Sequence, residues 1–439
     1  MENLSFYLVT DTHYYDSSFK RTGTAYEERS RTDQKCVAET PAIIDAGFEQ
    51  IAKDKDTDII LIPGDLVYRG EYQSHTGFRE RLYKLKEQGK KIYLITARHD
   101  YCEDGEPVEF EGDKLIPVKG MPREELRDFY KDFGFDSAIS EHKESMSYVA
   151  QLADGIRLLA LNCDGDCKDF KGIWDNQMQW AISEIKKAHN EGQYIFAMTH
   201  YPLLPFSPIM NLIGDAKLTD WENTAAAFAD AGLDLIFTGH MHAQAVTDYT
   251  TENGNKITDV QTGCFVGCPC AYRKITFNNG TADIKSYTID DFDYDKQGKT
   301  AEEYFRWRFN RMIEWKMDEI LPKPAKKILD SFTLKKLGRL LWFKVDKSIE
   351  NRLAKDIGIE LVRNIFIGNE PYVKGTPIYE AMAKLLKRLH FVTHIVEKKM
   401  GAKSPVLSDI DTFILSMIGD EKQRDYNTVL NININNYKR

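Results

Sequence analysis

Cysteine is scarce in this chain: seven residues in 439, an odd number at low density. A disulfide framework is therefore not expected, and free thiols in a reducing compartment are. No apolar run approaches the ~20 residues that cross a bilayer. The first such run, Leu4 to Val9, is short and soon followed by Asp11 and His13, so it does not read as a signal peptide. The expected address is the cytoplasm. Internal repeats and low-complexity tracts are missing too, which excludes solenoids and disordered arrays. Proline (14) and glycine (28) are too few for a collagenous or linker-like chain. What is present, 42% hydrophobic and 29% charged residues, belongs to a globular protein. The length exceeds one ordinary core and predicts two domains, or one large domain carrying an appendage.

The net charge of −9 is unevenly spread. Residues 301–439 hold 26 Lys+Arg against 18 Asp+Glu, a net +8, which leaves −17 for residues 1–300. A basic part of this kind attracts the acidic body or meets an anionic ligand. The border is local: the polar run 290–299 (DDFDYDKQGK) leads into Thr300-Ala301-Glu302-Glu303, a capping box that opens a helix. The expected division is a domain over 1–290, a linker over 291–299 and a basic, mainly helical domain over 300–439. Within the latter, Thr376-Pro377 predicts a helix start, followed by Ile378, Met382, Leu385, Leu386 and Leu389 at helical spacing. Lys384, Lys387 and Arg388 fall on its other face. Lys335 to Lys344 (KKLGRLLWFK) mixes cations with Leu, Trp and Phe. It suits a membrane surface or a nucleic-acid backbone, but packing on the neighbouring domain explains it more economically, with Trp342 and Phe343 in an interdomain core. A peripheral contact of the basic part with an anionic surface stays open. No sequence-reading nucleic-acid motif and no transmembrane segment is found, and oligomeric state is not legible.

Before residue 290, β-rich runs (Phe6 to Thr10, Asp58 to Ile62, Ile92 to Thr96, Arg157 to Leu161, Tyr194 to Met198, Leu233 to Phe237) alternate with helical stretches, an α/β signature. One such helix is expected near Thr40, after a connection holding Arg21, Arg29 and Arg31, which reads as a solvated charged loop in preference to a contact for substrate phosphate. Chemistry gathers where these runs end: Asp11-Thr12-His13, Gly64-Asp65, His99-Asp100, Thr199-His200 and Gly239-His240-Met241-His242. Ligands of α/β sheets collect at the carboxyl ends of strands. Mixed Asp oxygens and His nitrogens suit manganese, iron or zinc. One Asp-x-His is weak, but five such fragments in order hold five of the ten histidines.

These five fragments, in this order, resemble the calcineurin-like metallophosphoesterase pattern of Asp-x-His, Gly-Asp, Gly-Asn-His-Asp/Glu, His and Gly-His-x-His. Gly172-Ile173-Trp174 with Gln177 and Trp180, and Thr262-Gly263-Cys264, add to the likeness, which spans roughly residues 4 to 290. It implies two packed β-sheets flanked by helices, a four-layer αββα fold carrying a C-terminal helical domain. It also implies a metal-dependent hydrolase of phosphate mono- or diesters. By that resemblance Asp11, His13 and His242 bind one metal, His200 and His240 the other, and Asp65 bridges them. Cations ~3.5 to 4 Å apart can hold a hydroxide and neutralise phosphoryl oxygens. His99 would protonate the leaving oxygen or stabilise its charge, and Asp100 would orient that imidazole or face a structural partner.

The pattern breaks at Ala97-Arg98-His99, where Arg98 replaces an Asn whose oxygen helps hold the second metal. A guanidinium has no lone pair to offer, so the second site is expected to be the weaker. Either Arg98 turns inward and grips substrate phosphate, or it turns outward and water fills the gap. A pseudoenzyme that binds a phosphate ligand is the rival function. Tyr68 stands where the protein phosphatase branch has an Asp. The thiols Cys264, Cys268 and Cys270, and Cys163 and Cys167 around Asp164-Gly165-Asp166, read as small residues in turns. His390 and His394 have metal-compatible spacing but no third ligand nearby.

Overall fold

The computed structural model describes residues 4–101, 107–164, 172–207, 210, 216–320, 323–400, 410–420 and 422–434. The first series of elements is β1 (Leu4–Leu8), α1 (Gly23–Thr32), α2 (Thr40–Lys53), β2 (Ile59–Pro63), α3 (Tyr72–Glu87) and β3 (Lys91–Ile95). A hairpin of β4 (Val108–Glu111) and β5 (Lys114–Pro117) and helix α4 (Arg123–Phe129) follow. The second series is β6 (Ala138–His142), β7 (Ser147–Ala153), β8 (Ile156–Leu161), α5 (Asp175–Asn190), β9 (Tyr194–Thr199), α6 (Trp221–Ala231) and β10 (Leu235–Thr238). Four more strands come next: β11 (Ala245–Thr250), β12 (Lys256–Gln261), β13 (Ala271–Asn278) and β14 (Thr281–Thr288). Beyond residue 300 lie α7 (Ala301–Ile320), α8 (Lys323–Ser331), α9 (Leu334–Leu340), α10 (Ala354–Ile367), α11 (Pro377–Met400), α12 (Ile410–Met417) and β15 (Thr428–Asn431).

Two sheets result, ordered β15-β14-β13-β1-β2-β3 and β11-β12-β10-β9-β8-β7-β6. Strands β1, β2 and β3 run parallel in the first, as do β8, β9, β10 and β12 in the second. Alternation along the strands feeds two cores. Phe196 and Met198 of β9 and Phe237 of β10 face the first sheet, whereas Ile195, Ala197 and Ile236 face the opposite way, onto α5 and α6. Phe6 stacks on Phe196 at 5.3 Å and meets Phe237 and Phe277 edge-on at 5.5 Å. Each such pair adds about 0.5–1.5 kcal/mol beyond burial. Helices α2 and α3 bury Ile43, Ile44, Phe48, Phe78 and Leu82 in this same core. The four-layer arrangement expected from the sequence is the one observed, with a helical region after it.

Residues 301–434 do not stand apart from this body. Thr300 and Glu303 form the expected capping box, each backbone N–H held by the other's side chain at 3.0 and 3.2 Å. Helix α7 then buries Tyr304, Phe305, Phe309 and Met312 in the main core, and Phe292 stacks on Phe305 at 5.1 Å. Tyr304 and Arg308 both reach the buried Glu39, at 2.5 and 3.4 Å. Strand β15 pairs with β14, and the fully buried Arg273 donates to the carbonyls of Asp425 and Tyr426. Helices α9 to α11 hold a separate core of Leu334, Leu337, Ile357, Leu361, Ile378 and Ala381.

Two expectations fail here. Residues 23–32 form a helix, not a charged loop. Helix α1 lies against α7, tied by Arg308 to Ser30 at 2.6 Å, and Arg29 pairs with Asp33. Trp342 is 84% exposed rather than part of an interdomain core, and Phe343 is only half-buried. Among the described residues no helix is long and apolar enough to cross a membrane.

Where the chain returns to the body, Glu370, Asp420 and Asp425 bring carboxylate oxygens within 4.8 Å of one another. Burial, with Asp425 and Asp420 beside it, pushes Glu370 up to about 9. The folded protein thus keeps a proton that the unfolded chain releases above the ordinary Glu range. The resulting stability is fully present below that range and is lost as pH rises towards 9. We expect thermal melts with chelator to show stability falling between pH 5 and 8, by up to about 1.4 kcal/mol per pH unit. Glu370→Gln should flatten that slope, and an equal slope in both proteins would refute the assignment.

Candidate metal centre

The ends of β1, β2 and β3 in one sheet and of β9 and β10 in the other meet at the same edge. Five residues there hold a left-handed backbone: Asp11 (φ 55°), His13 (39°), Asp65 (51°), His240 (70°) and His242 (57°). Side chains rarely adopt this conformation, and its clustering marks a functional site. Close approach needs glycine. A Cβ on Gly239 would sit 2.2 Å from Thr10 Oγ1 and 2.6 Å from Asp11 Oδ2.

The atoms converge in two overlapping groups. His242 Nε2 lies 3.3 Å from Asp11 Oδ1 and 3.1 Å from His13 Nε2, while His13 Nε2 lies 3.7 Å from both Asp11 Oδ1 and Asp65 Oδ2. On the other side His200 Nε2 is 3.1 Å from Asp65 Oδ2, and Asp65, His200 and His240 bring ligand atoms within 4.8 Å. The outer atoms are already committed. His200 Nδ1 donates to Pro63 O at 2.8 Å and His242 Nδ1 to Gln34 Oε1 at 3.1 Å, which turns each Nε2 lone pair inward. Asp11 Oδ2 accepts from Thr10 and from His240 N–H, and Asp65 Oδ1 from His99 N–H. Asp11 Oδ1 and His200 Nε2 remain buried without a hydrogen-bond partner.

Electrostatics point the same way. Burial disfavours charge on Asp11, yet His242, His13 and His200 hold it well below the usual carboxylate range. Burial likewise opposes charge on His200, but Asp65 and Asp11 raise it to about 10. Two buried carboxylates demand a cation here, and a metal supplies that charge as well as a proton does. The donor set and its orphaned inward atoms therefore fit bound metal.

His99 lies beside this cluster, its ring 5.2 Å from that of His13. Burial and then Lys35 lower it well below the ordinary histidine range. Asp100 does not orient it. Its Oδ1 accepts from Leu66 and Val67 N–H and its Oδ2 from Ala97 N–H, so the carboxylate ties the β2 and β3 end loops together. Arg98 is half-buried and is among the charges acting on the Tyr201 hydroxyl; the Tyr201 ring packs 4.1 Å from His240. Arg98 thus belongs to the His200–His240 side.

Several residues were not anticipated. Lys35 Nζ lies 3.5 Å from His99 Nε2 and over the Tyr68 ring, whose hydroxyl bonds Asp33. Gln34 and Lys35 sit in a connection with no motif to reveal them. Asp164 follows β8, is 2% exposed, leaves both oxygens unpartnered and is pushed up to about 7 by burial. The strand-end logic applied to Arg157–Leu161 would have found it. Cys264 Sγ lies near His13 and His242, but it donates to Asp11 O and burial raises it well above the usual thiol range, so it packs as a thiol. Cys268 and Cys270 are buried and free. Asp166 and Cys167 lie outside the described residues, as do the side chains of His390 and His394.

The calcineurin-like phosphoesterase family profile matches residues 4–244. A metallophosphoesterase-like protein of Bacillus subtilis (strain 168), YydB, is 20% identical over 270 residues, 55% of this chain and 53% of that protein. The chain thus spans about half the length of that curated relative. A dimetal phosphatase from Danio rerio aligns over 64% of this chain and 95% of its own, with 12% identity and TM-score 0.44. Purple acid phosphatase PPD1 from yellow lupin seeds aligns over 66% and 52%, with 13% identity and TM-score 0.41.

Gly239→Ala should displace Asp11 without unfolding the sheets. Metal affinity should fall by about 10- to 100-fold, read by metal analysis after dialysis, with the circular dichroism unchanged. Parent-like metal content would show that Asp11 does not depend on that close approach.

Proposed function

Because this chain belongs to the calcineurin-like phosphoesterase family, we propose that it hydrolyses phosphate mono- or diesters at a dinuclear metal centre. Asp65 carries the reading: its Oδ2 lies 3.7 Å from His13 Nε2 and 3.1 Å from His200 Nε2, within reach of both halves. Asp11, His13 and His242 would hold one cation with Asp65, and His200 and His240 the other. Manganese, iron and zinc suit these donors. When bound, the cations supply neutralisation of the phosphoryl oxygens and activation of water.

The chain's own residues do the rest. Lys35 and Arg98 bring positive charge that draws in a phosphate ester, and the planar fork of Arg98 suits two phosphate oxygens. His99 serves the leaving oxygen. With Lys35 Nζ at 3.5 Å from its Nε2, an ammonium proton is available to the imidazole as charge develops on that oxygen. Gln34 and the Pro63 carbonyl keep the His242 and His200 rings from turning. Arg98 also supports a second reading, a phosphate-ligand binding protein with a degraded second site, because a guanidinium cannot ligate a metal.

The test is hydrolysis of aryl phosphate mono- and diesters by purified protein with manganese, iron or zinc supplied in turn. Metal-dependent turnover is expected. Asp65→Asn should lose metal and activity together, whereas His13→Ala should mainly weaken one site. Lys35→Ala should raise KM about tenfold, the loss of one charge-assisted contact. Arg98→Asn should tighten the second metal and, under the second reading, gain hydrolysis that the parent lacks. Full metal content in Asp65→Asn would overturn the assignment.

A further inference from the structure

Helix α9 ends in a form that folding alone does not favour. Phe343 N–H donates to Gly338 O at 2.8 Å and Leu341 N–H to Leu337 O at 2.9 Å. The first of these is the closure in which the residue after the cap turns left-handed, a position usually given to glycine. Here that residue is Trp342, at φ 60°. Its indole is 84% exposed and the neighbouring Leu340 is 53% exposed. Backbone strain and an uncovered indole both work against stability. The turn is nonetheless held in place. Phe343 lines a small apolar pocket with Leu334, Leu337, Ile378 and Ala381, and Arg388 Nη2 on α11 bonds Trp342 O at 3.1 Å.

Cations flank this turn along the chain and on the helix that Arg388 comes from. Lys336 and Arg339 on α9, Lys344 and Lys347 just after it, and Lys387 and Arg388 on α11 are all exposed. Lys335 is paired with Glu350 at 2.8 Å. The single acidic side chain between residues 334 and 349, Asp346, is turned onto the Ser348 hydroxyl and N–H. The patch therefore keeps a net positive charge around an apolar tip.

We propose that this α9–α11 corner docks on an anionic phospholipid surface. Trp342 and Leu340 enter the interfacial layer while the lysines and arginines meet headgroup phosphates. Tryptophan favours the headgroup level, and long basic side chains reach back to it from apolar surroundings. Basic residues near an anionic leaflet add further attraction. A nucleic-acid backbone would use the cations but offers nothing to the aliphatic Leu340, so lipid is the better complement.

The test is co-sedimentation of the full chain with vesicles of phosphatidylcholine alone, or of phosphatidylcholine and phosphatidylglycerol in equal parts, at low and high salt. Binding is expected to the mixed vesicles only and should weaken as the screening length shrinks from ~10 Å to ~3 Å. Replacing Lys336 or Arg339 by Gln should lower partitioning about fivefold each. Trp342→Gly separates docking from folding: relief of the left-handed strain should raise the melting temperature, while vesicle binding falls at least about tenfold. Failure to pellet with either vesicle would overturn the proposal. So would parent-like binding by Trp342→Gly, or binding abolished by duplex DNA as competitor but insensitive to Trp342.

Discussion

The face-to-face packing of the two sheets is the constraint on which the rest depends. Phe6, Phe196, Phe237 and Phe277 interlock between them. The candidate site is divided across that interface: Asp11, His13, Asp65 and His99 come from one sheet, and His200, His240 and His242 from the other. Neither sheet alone has a complete donor set. Hydrogen bonds stitch the halves at the edge itself, from His240 N–H to Asp11, from His200 to the Pro63 carbonyl and from Phe265 N–H to the Thr10 carbonyl. Sliding one sheet over the other would break these contacts and separate the half-sites together.

Within this frame the centre is costly. Left-handed backbone at non-glycine residues costs of order 1–3 kcal/mol each, and burial opposes charge on Asp11 and Asp65. The surrounding layers are close-packed and supply the stability that the edge lacks. Asp100 belongs to this support: with three backbone N–H groups on one carboxylate, it fixes the loops that carry Asp65 and His99.

Much of this was legible in the sequence because its signals are local. A strand followed at once by Asp-x-His, Gly-Asp or Gly-His-x-His announces both the element and the residue at its tip. The capping box at Thr300 and Glu303 is written within four positions. Lys35 and Gln34 could not be read this way, since their roles exist only once a distant segment folds against β3 and β10. Helix α1 escaped for a related reason: it buries no residue of its own and shows no apolar stripe. Trp342 misled because an aromatic beside leucines reads as core, whereas the turn that exposes it depends on Phe343 filling the pocket instead. Asp100 was ambiguous in sequence, and its geometry decides for backbone rather than imidazole.

The strand at residues 428–431 carries a consequence for how the protein is made. It completes the sheet that begins at Leu4, with β13 and β14 between them, and Tyr304 to Met312 fill the same core. A ribosome delivers the Asp and His motifs well before these pieces, so the part that carries them emerges with the edge of β14 unpaired and part of its apolar surface bare. Contacts so distant along the chain close slowly, and uncovered edges invite pairing with other chains meanwhile. Arrival of residues 428–431 thus pairs the open edge of β14, and Tyr304 to Met312 cover the apolar surface beside it.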